Sequence, residues 1–230
     1  NLPQINTEGT INSVVSVNDA AGFSIVKYTG ENAARTVGHG LSQAPEMVMF
    51  KNLDDTRHWV VYHKDLSASS YLFLNLTNLE ETDTRINGGQ PRPFGPFTST
   101  TFGVNIDNET GYTNDYIAYC FKSVTGYQSL GSYSGTGVDG NRIYTTDDGT
   151  SSGSGGFEPR WLLVKRTDAA DNWVIVDTAR GLNGSLFPDD TSNELNNSGA
   201  ATFNSDGFTV NGASGGWNNG SGTYIYLAIK

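Results

Sequence analysis

The chain has 230 residues, room for one or two domains and for a core that needs no disulfide or metal staple, and its 36% hydrophobic and 11% aromatic content excludes a disordered chain. With 14 Lys and Arg against 24 Asp and Glu, the net charge of −10 argues against a nucleic-acid backbone or an anionic membrane as partner. The single Cys120 excludes an intrachain disulfide and a Cys-rich zinc site, and no run reaches the roughly 20 apolar residues of a membrane span.

No basic-then-apolar signal peptide is visible, and the chain opens at Asn1 and not at Met, which reads as an excised or processed piece of something longer. Residues 1–21 contain an alternating INSVVSV, a strand or a tether from a preceding domain. Short apolar segments closed by Gly, Asn or Asp then predict strands at 22–30 (GFSIVKYTG), 47–51 (MVMFK), 58–62 (HWVVY), 71–76 (YLFLNL) and 116–121 (YIAYCF). Further strands are predicted at 161–165 (WLLVK), 172–176 (NWVIV) and 224–229 (YIYLAI). Residues 78–82 (NLEET) and 191–195 (TSNEL) each read as one helical turn. The 28 glycines, with abundant Asn, Ser and Thr, serve turns rather than helix interiors, so the chain is all-β with almost no helix.

An internal repeat organises these strands. Pro45, Lys51, Asp54 and Trp59 recur 114 positions later as Pro159, Lys165, Asp168 and Trp173. The same offset carries Leu72, Phe73, Thr77 and Glu80 onto Leu186, Phe187, Thr191 and Glu194. Tyr28-Thr29-Gly30 recurs as Tyr133-Ser134-Gly135, and Tyr116-Ile117 as Tyr224-Ile225. Units of this length fit two tandem related β-sandwich repeats, of jelly-roll or lectin-like kind, better than a solenoid. The expected division is a lead-in at 1–21, one repeat at 22–126 and another at 127–230.

The strings GFSIVKYTG, TVGHGL-x-x-AP, WVVYH, DYIAYCF, GSYSG, KRTDAADNW and GTYIYLAI resemble a two-copy module in virion proteins of marine and cyanobacterial tailed phages. That module often follows a concanavalin A-like lectin domain, and the lead-in resembles the junction between the two. The resemblance implies a structural or adhesive piece of a virion, on a tail appendage or the capsid surface. It also implies other virion proteins as partners and a homo-oligomer, with a trimer favoured. It supplies no catalytic residues. The stretches 87–95 (NGGQPRPFG) and 149–156 (GTSSGSGG) depart from it.

Candidate chemistry is sparse. His58 and His63 face opposite ways on one strand, His39 sits in a glycine turn, and the second copy holds Asn172 and Asp177 at the positions of His58 and His63; surface or structural roles suit all three. Asp54 and Asp168 lie in turns where an Asp side chain bonds nearby backbone, one acid per copy, which gives no glycosidase pair. Asp147-Asp148 and Asp189-Asp190 are loop acids, and GTSSG lacks the strand–turn–helix of a nucleophile elbow. Asn105, Asp107 and Glu109 alternate in NIDNET, a weak calcium-type oxygen set; no other cofactor is implied. Trp59 and Trp173 read as matching core residues with the same neighbours.

Trp217, flanked by Asn218 and Asn219 in SGGWNNGSG, reads as an exposed sugar-stacking indole, with Tyr112 in a comparable place in copy one. The bland alternative is a Trp217 folded back on its own sandwich or buried against a neighbouring subunit. The leading expectation is a non-enzymatic virion module that contacts the host surface. A carbohydrate-binding adhesin is the alternative, and a polysaccharide-degrading enzyme stands further back.

Overall fold

The computed structural model describes residues 2–82, 94–146, 149, 154–196, 201–212 and 215–230. Residues 87–93 of the first departing stretch, 150–153 of the second, and Asp147-Asp148 lie outside the described residues. Among the described residues, 46% are strand and 3% helix, an all-β fold of antiparallel sheets. It divides into two compact units, Asn1–Phe73 with Glu81–Lys122, and Leu74–Glu80 with Ser123–Lys230.

The first unit contains β1 (Gln4–Asn6), β2 (Ser13–Asn18), β3 (Phe23–Thr29), β4 (Arg35–Gly38), β5 (Met47–Asn52) and β6 (Val60–His63). It continues with β7 (Ser70–Phe73), β8 (Glu81–Thr82), β9 (Phe94–Phe97), β10 (Thr101–Val104) and β11 (Asp115–Phe121). An antiparallel sheet runs β1-β2-β3-β11-β5-β6-β7-β8, and a smaller one runs β4-β10-β9. The period of two along a strand builds the core between them. Tyr116, Ala118 and Cys120 of β11 are buried while the residues between them are half-buried, and Val26, Tyr28, Val48 and Phe50 join them against Val37, Phe102 and Val104. The residues at 1–21, expected as a lead-in strand or tether, supply β1 and β2 of the larger sheet, and Ile11 and Val15 reach its core.

The second unit contains β12 (Gln128–Ser134), β13 (Asn141–Tyr144), β14 (Trp161–Arg166), β15 (Trp173–Asp177), β16 (Gly184–Ser185) and β17 (Leu195–Asn196). β18 (Ala201–Asn204), β19 (Gly207–Val210) and β20 (Thr223–Ile229) complete it. Its sheets run β12-β20-β14-β15, β13-β19-β18 and β16-β17. Leu162, Val164, Val174, Val176, Tyr224 and Tyr226 pack against Ile143, Phe203, Phe208 and Val210. Fully burying such a side chain is worth about 1.5–3 kcal/mol, which makes these faces the main source of stability.

Several cross-strand pairings are alike in the two units. Tyr28 faces Tyr116, and Tyr133 faces Tyr224. Lys51 faces Ile117, and Lys165 faces Ile225. Val61 faces Leu72, and Ile175 bridges Leu186. Val37 faces Phe102, and Ile143 faces Phe208.

Two expectations are corrected. The helical turns predicted at 78–82 and 191–195 are instead the return of two hairpins, because Ser70 pairs with Thr82 and Gly184 with Asn196. Among the described residues the helical ones are a 3-10 turn at Asp19–Ala21, ended by Gly22 at φ 66°, and α1 (Gly215–Asn218). The tryptophans are not matching core residues. Trp173 is 1% exposed, but it alternates with the core residues Val174 and Val176 and so lies on the opposite face of its sheet. Trp59 is half-buried, stacked on Tyr119 at 6.1 Å. Trp173→Ala should therefore cost about 3–5 kcal/mol in urea melts. Trp59→Ala should cost clearly less, and equal losses would contradict the difference in burial.

Candidate functional site

The loops expected to bind ligand are tied into the sandwiches by tyrosines. In the first unit the Tyr28 and Tyr116 rings stack at 5.3 Å, and their hydroxyls donate to Thr110 O (2.8 Å) and Asn108 O (3.2 Å). In the second unit Tyr133 and Tyr224 stack at 4.9 Å; Tyr133 Oη donates to Trp217 O (2.8 Å), and Tyr224 Oη accepts from Asn219 N (2.9 Å). The loop backbones come so close that a Cβ at Gly30 would collide with Tyr112 O, and one at Gly135 with Asn219 O.

That geometry corrects the sugar-platform expectation. Trp217 is 3% exposed and belongs to the core of its unit, so its ring offers no open face. Asn218 is fully buried: Oδ1 accepts from Thr136 N (2.8 Å) and Asn141 Nδ2 (2.9 Å), while Nδ2 donates to Val138 O (2.7 Å) and Gly212 O (2.9 Å). Asn219 and Tyr112 are half-buried. The folded-back alternative describes Trp217.

Asp107 and Glu109 sit side by side, while Asn105 is buried. Asp107 Oδ1 accepts from Glu109 N (2.9 Å), and Asp107 O accepts from Gly111 N (2.9 Å) and Tyr112 N (3.0 Å), so the loop's own backbone occupies much of its oxygen set. Among the described residues no group of three or more His, Cys, Asp or Glu could hold a metal. Burial, then the adjoining Asp107, pushes the Glu109 carboxyl up to about 7.

The recurring polar residues also serve backbone. Asp54 Oδ2 accepts from Asp115 N (2.7 Å), and Asp168 Oδ1 from Thr223 N (3.0 Å), closing equivalent turns. Lys165 is buried and donates to Arg166 O (2.8 Å), Asp171 O (2.9 Å) and Thr77 O (3.3 Å); burial pulls its ammonium down to about 8. His39 is buried and neutral in its contacts, with Nδ1 accepting from Leu41 N (3.1 Å) and Nε2 facing Thr98 O (3.1 Å); burial lowers its pKa. His63 Nδ1 accepts from Asp65 N (3.2 Å), and His58 is exposed against the Phe73 ring at 4.9 Å.

A groove of about 360 Å³ lies in the first unit between the turn after β6 and strand β9. Tyr62 and Phe97 stack at 3.7 Å along it, Phe94 closes its floor, and Lys64, Ser67 and Ser69 stand on its rim. Sequence reasoning missed it because its halves are some thirty residues apart; Tyr62 and the FGPF string were the available signals. Phe94 and Gly95 fall in the departing 87–95 stretch.

The profile of a family described as Domain of unknown function (DUF7483) matches residues 2–230. No curated protein matches. Among solved structures, the major capsid protein P2 from Bacteriophage PM2 aligns at 8% identity over 90% of this chain and 98% of that one, with a TM-score of 0.19. Among the described residues no helix is long and apolar enough to cross a membrane.

Trp217→Ala should lower stability by about 3–5 kcal/mol, as a core truncation does, read by thermal melts. For Glu109, the folded carboxyl holds its proton to about 7 while the unfolded one releases it near 4.5, so stability falls as pH rises through that window. Glu109→Gln should flatten this fall in melts from pH 4.5 to 8. Calcium at pH 8, if it binds the loop, should raise the melt of the parent chain and not that of the variant.

Proposed function

We propose that this chain, which belongs to the family described as Domain of unknown function (DUF7483), is a non-enzymatic structural module of a tailed-phage particle, displayed on a tail appendage or the capsid surface. Two related sandwich units, joined in one duplicated module, make up this reading. The observation that carries it is the use of the recurring polar residues: Asp54 and Asp168, and Lys51 and Lys165, all bond backbone within their own unit. Groups spent on holding turns build a scaffold rather than a reaction centre. The resemblance of the strings around them to phage virion modules supplies the setting. Its partners are other virion proteins and further copies of itself, with a trimer favoured, and it needs no cofactor.

The aromatic groove favours one second reading, an adhesin for a neutral host-surface glycan. Tyr62 and Phe97 offer ring faces for an apolar sugar surface, and the serines on the rim offer hydroxyls for its polar edge.

Gold-labelled antibody against the chain should decorate the outside of intact particles. Particles without label would overturn the structural reading. On a glycan array, binding that disappears in Phe97→Ala would establish the adhesin reading, and depolymerisation of a host polysaccharide would overturn the non-enzymatic one.

A further inference from the structure

The loop from Lys51 to Trp59 and the loop from Lys165 to Trp173 have equal length and the same end residues. A hairpin tip sits on one of them. Leu74–Glu80, which folds as part of the second unit, lies along the Lys165 loop: Asp171 N donates to Thr77 O (2.8 Å), Lys165 Nζ to Thr77 O (3.3 Å), and Glu80 N to Thr167 O (2.8 Å).

The counterpart of that tip is the turn between β16 and β17, residues 186–194. Its base pairs in the same register, Ser185 with Leu195 and Gly184 with Asn196, against Tyr71 with Glu81 and Ser70 with Thr82. Residues 190–196 are exposed, as is the Leu186 side chain. The counterpart of the covered face is open as well. Lys51 Nζ donates to Asn52 O (2.7 Å) and Asp55 O (3.5 Å), Leu53 and Arg57 are exposed, and Met49, Trp59, Ile117 and Tyr119 beside them are half-buried.

Charge distinguishes the two tips and the two faces together. The seated tip, 74–80, reads LNLTNLE, and the other, 188–194, reads PDDTSNE, in which Asp189 is half-buried and accepts from Trp173 N (3.3 Å), Glu194 pairs with Arg180 (3.1 Å) and Asp190 is exposed. The face position that bonds Thr77 O is Asp171; its counterpart is Arg57. An acid-rich tip is repelled by Asp171 and attracted by Arg57 and Lys51. Asp54 and Asp55 share that loop: Asp54 Oδ2 accepts from Asp115 N (2.7 Å), and Asp55 Oδ2 accepts from Asn114 Nδ2 (3.1 Å) and lies 4.0 Å from Arg57 Nη2, an exposed pair that a seated tip would compete for.

We propose that the tip at 186–194 seats on the 49–59 face of a second copy of this chain, in the register that Leu74–Glu80 uses on the Lys165 loop, so that copies join head to tail. In that register Thr191 O meets Arg57 N and Lys51 Nζ, and Glu194 N meets Leu53 O. The surfaces are heterologous, so the contact repeats and either closes a ring or extends a row. Exposed charges contribute to it, so it weakens with salt. The proposal does not depend on where the protein works.

Two full-length variants, Thr191→Cys and Arg57→Cys, are mixed and oxidised; the native Cys120 is buried and does not compete. The mixed disulfide dimer should exceed that from Thr191→Cys with Val138→Cys, an exposed position on another loop, by roughly tenfold. In sedimentation velocity, Arg57→Glu should shift the parent chain toward monomer, and mixing it with Asp190→Arg chains should restore association, with thermal melts unchanged. Cross-linking no better than the control overturns the proposal. So does a parent chain that stays monomeric at high concentration and low salt, or association that neither charge variant alters.

Discussion

Each unit depends on a pair of tyrosines facing one another across two adjacent strands. A phenol placed inside a sandwich must give its hydroxyl a partner, since an unpaired buried donor costs about 1–3 kcal/mol. Tyr28 and Tyr116 find theirs in the carbonyls of Thr110 and Asn108; Tyr133 and Tyr224 find theirs in Trp217 and Asn219. The loops are therefore drawn down onto the ends of the sheets. Glycine is required at 30 and 135 because the descending backbone leaves no room for a Cβ. Trp217, carried inward with its loop, fills the core, although its Gly- and Asn-rich surroundings in the sequence predict an exposed ring.

The charged residues follow the same logic. Lys165 is buried, and its ammonium is held by three carbonyl oxygens, which offsets the loss of water that pulls its pKa down. Lys51 keeps a half-buried site with two carbonyls. Asp54 and Asp168 each clamp the first residue of a neighbouring strand. Small differences in what covers equivalent positions thus give related loops different electrostatic characters.

The long strands were legible because they alternate or are β-branched: β3, β5, β11, β14 and β20 stand near their expected places. The four-residue strands of the smaller sheets were not. RTVG, FGPF and TFGV carry Gly, Pro and Thr and are too short to show a period, so their pairing is decided by the face they cover. NLEET and TSNEL carry helix-favouring residues, but closure of a hairpin outweighs a propensity worth a few tenths of a kcal/mol per residue. Trp59 and Trp173 show the limit of a repeat: identical spacing fixes which side of a sheet a residue takes and says nothing of what lies over it.

The segment Leu74–Glu80 imposes an order on biosynthesis. Its neighbours in sequence, β7 and β8, belong to the first unit, while Thr77 receives its hydrogen bonds from Lys165 and Asp171, far along the chain. A chain emerging from the ribosome can complete β7 and β8 early, but the tip between them stays in water until β14 and β15 have been made. The division of the molecule is consequently not a point on the chain. A cut after Lys122 would sever the second unit from seven of its own residues, leaving Thr167, Asp171 and Lys165 facing solvent.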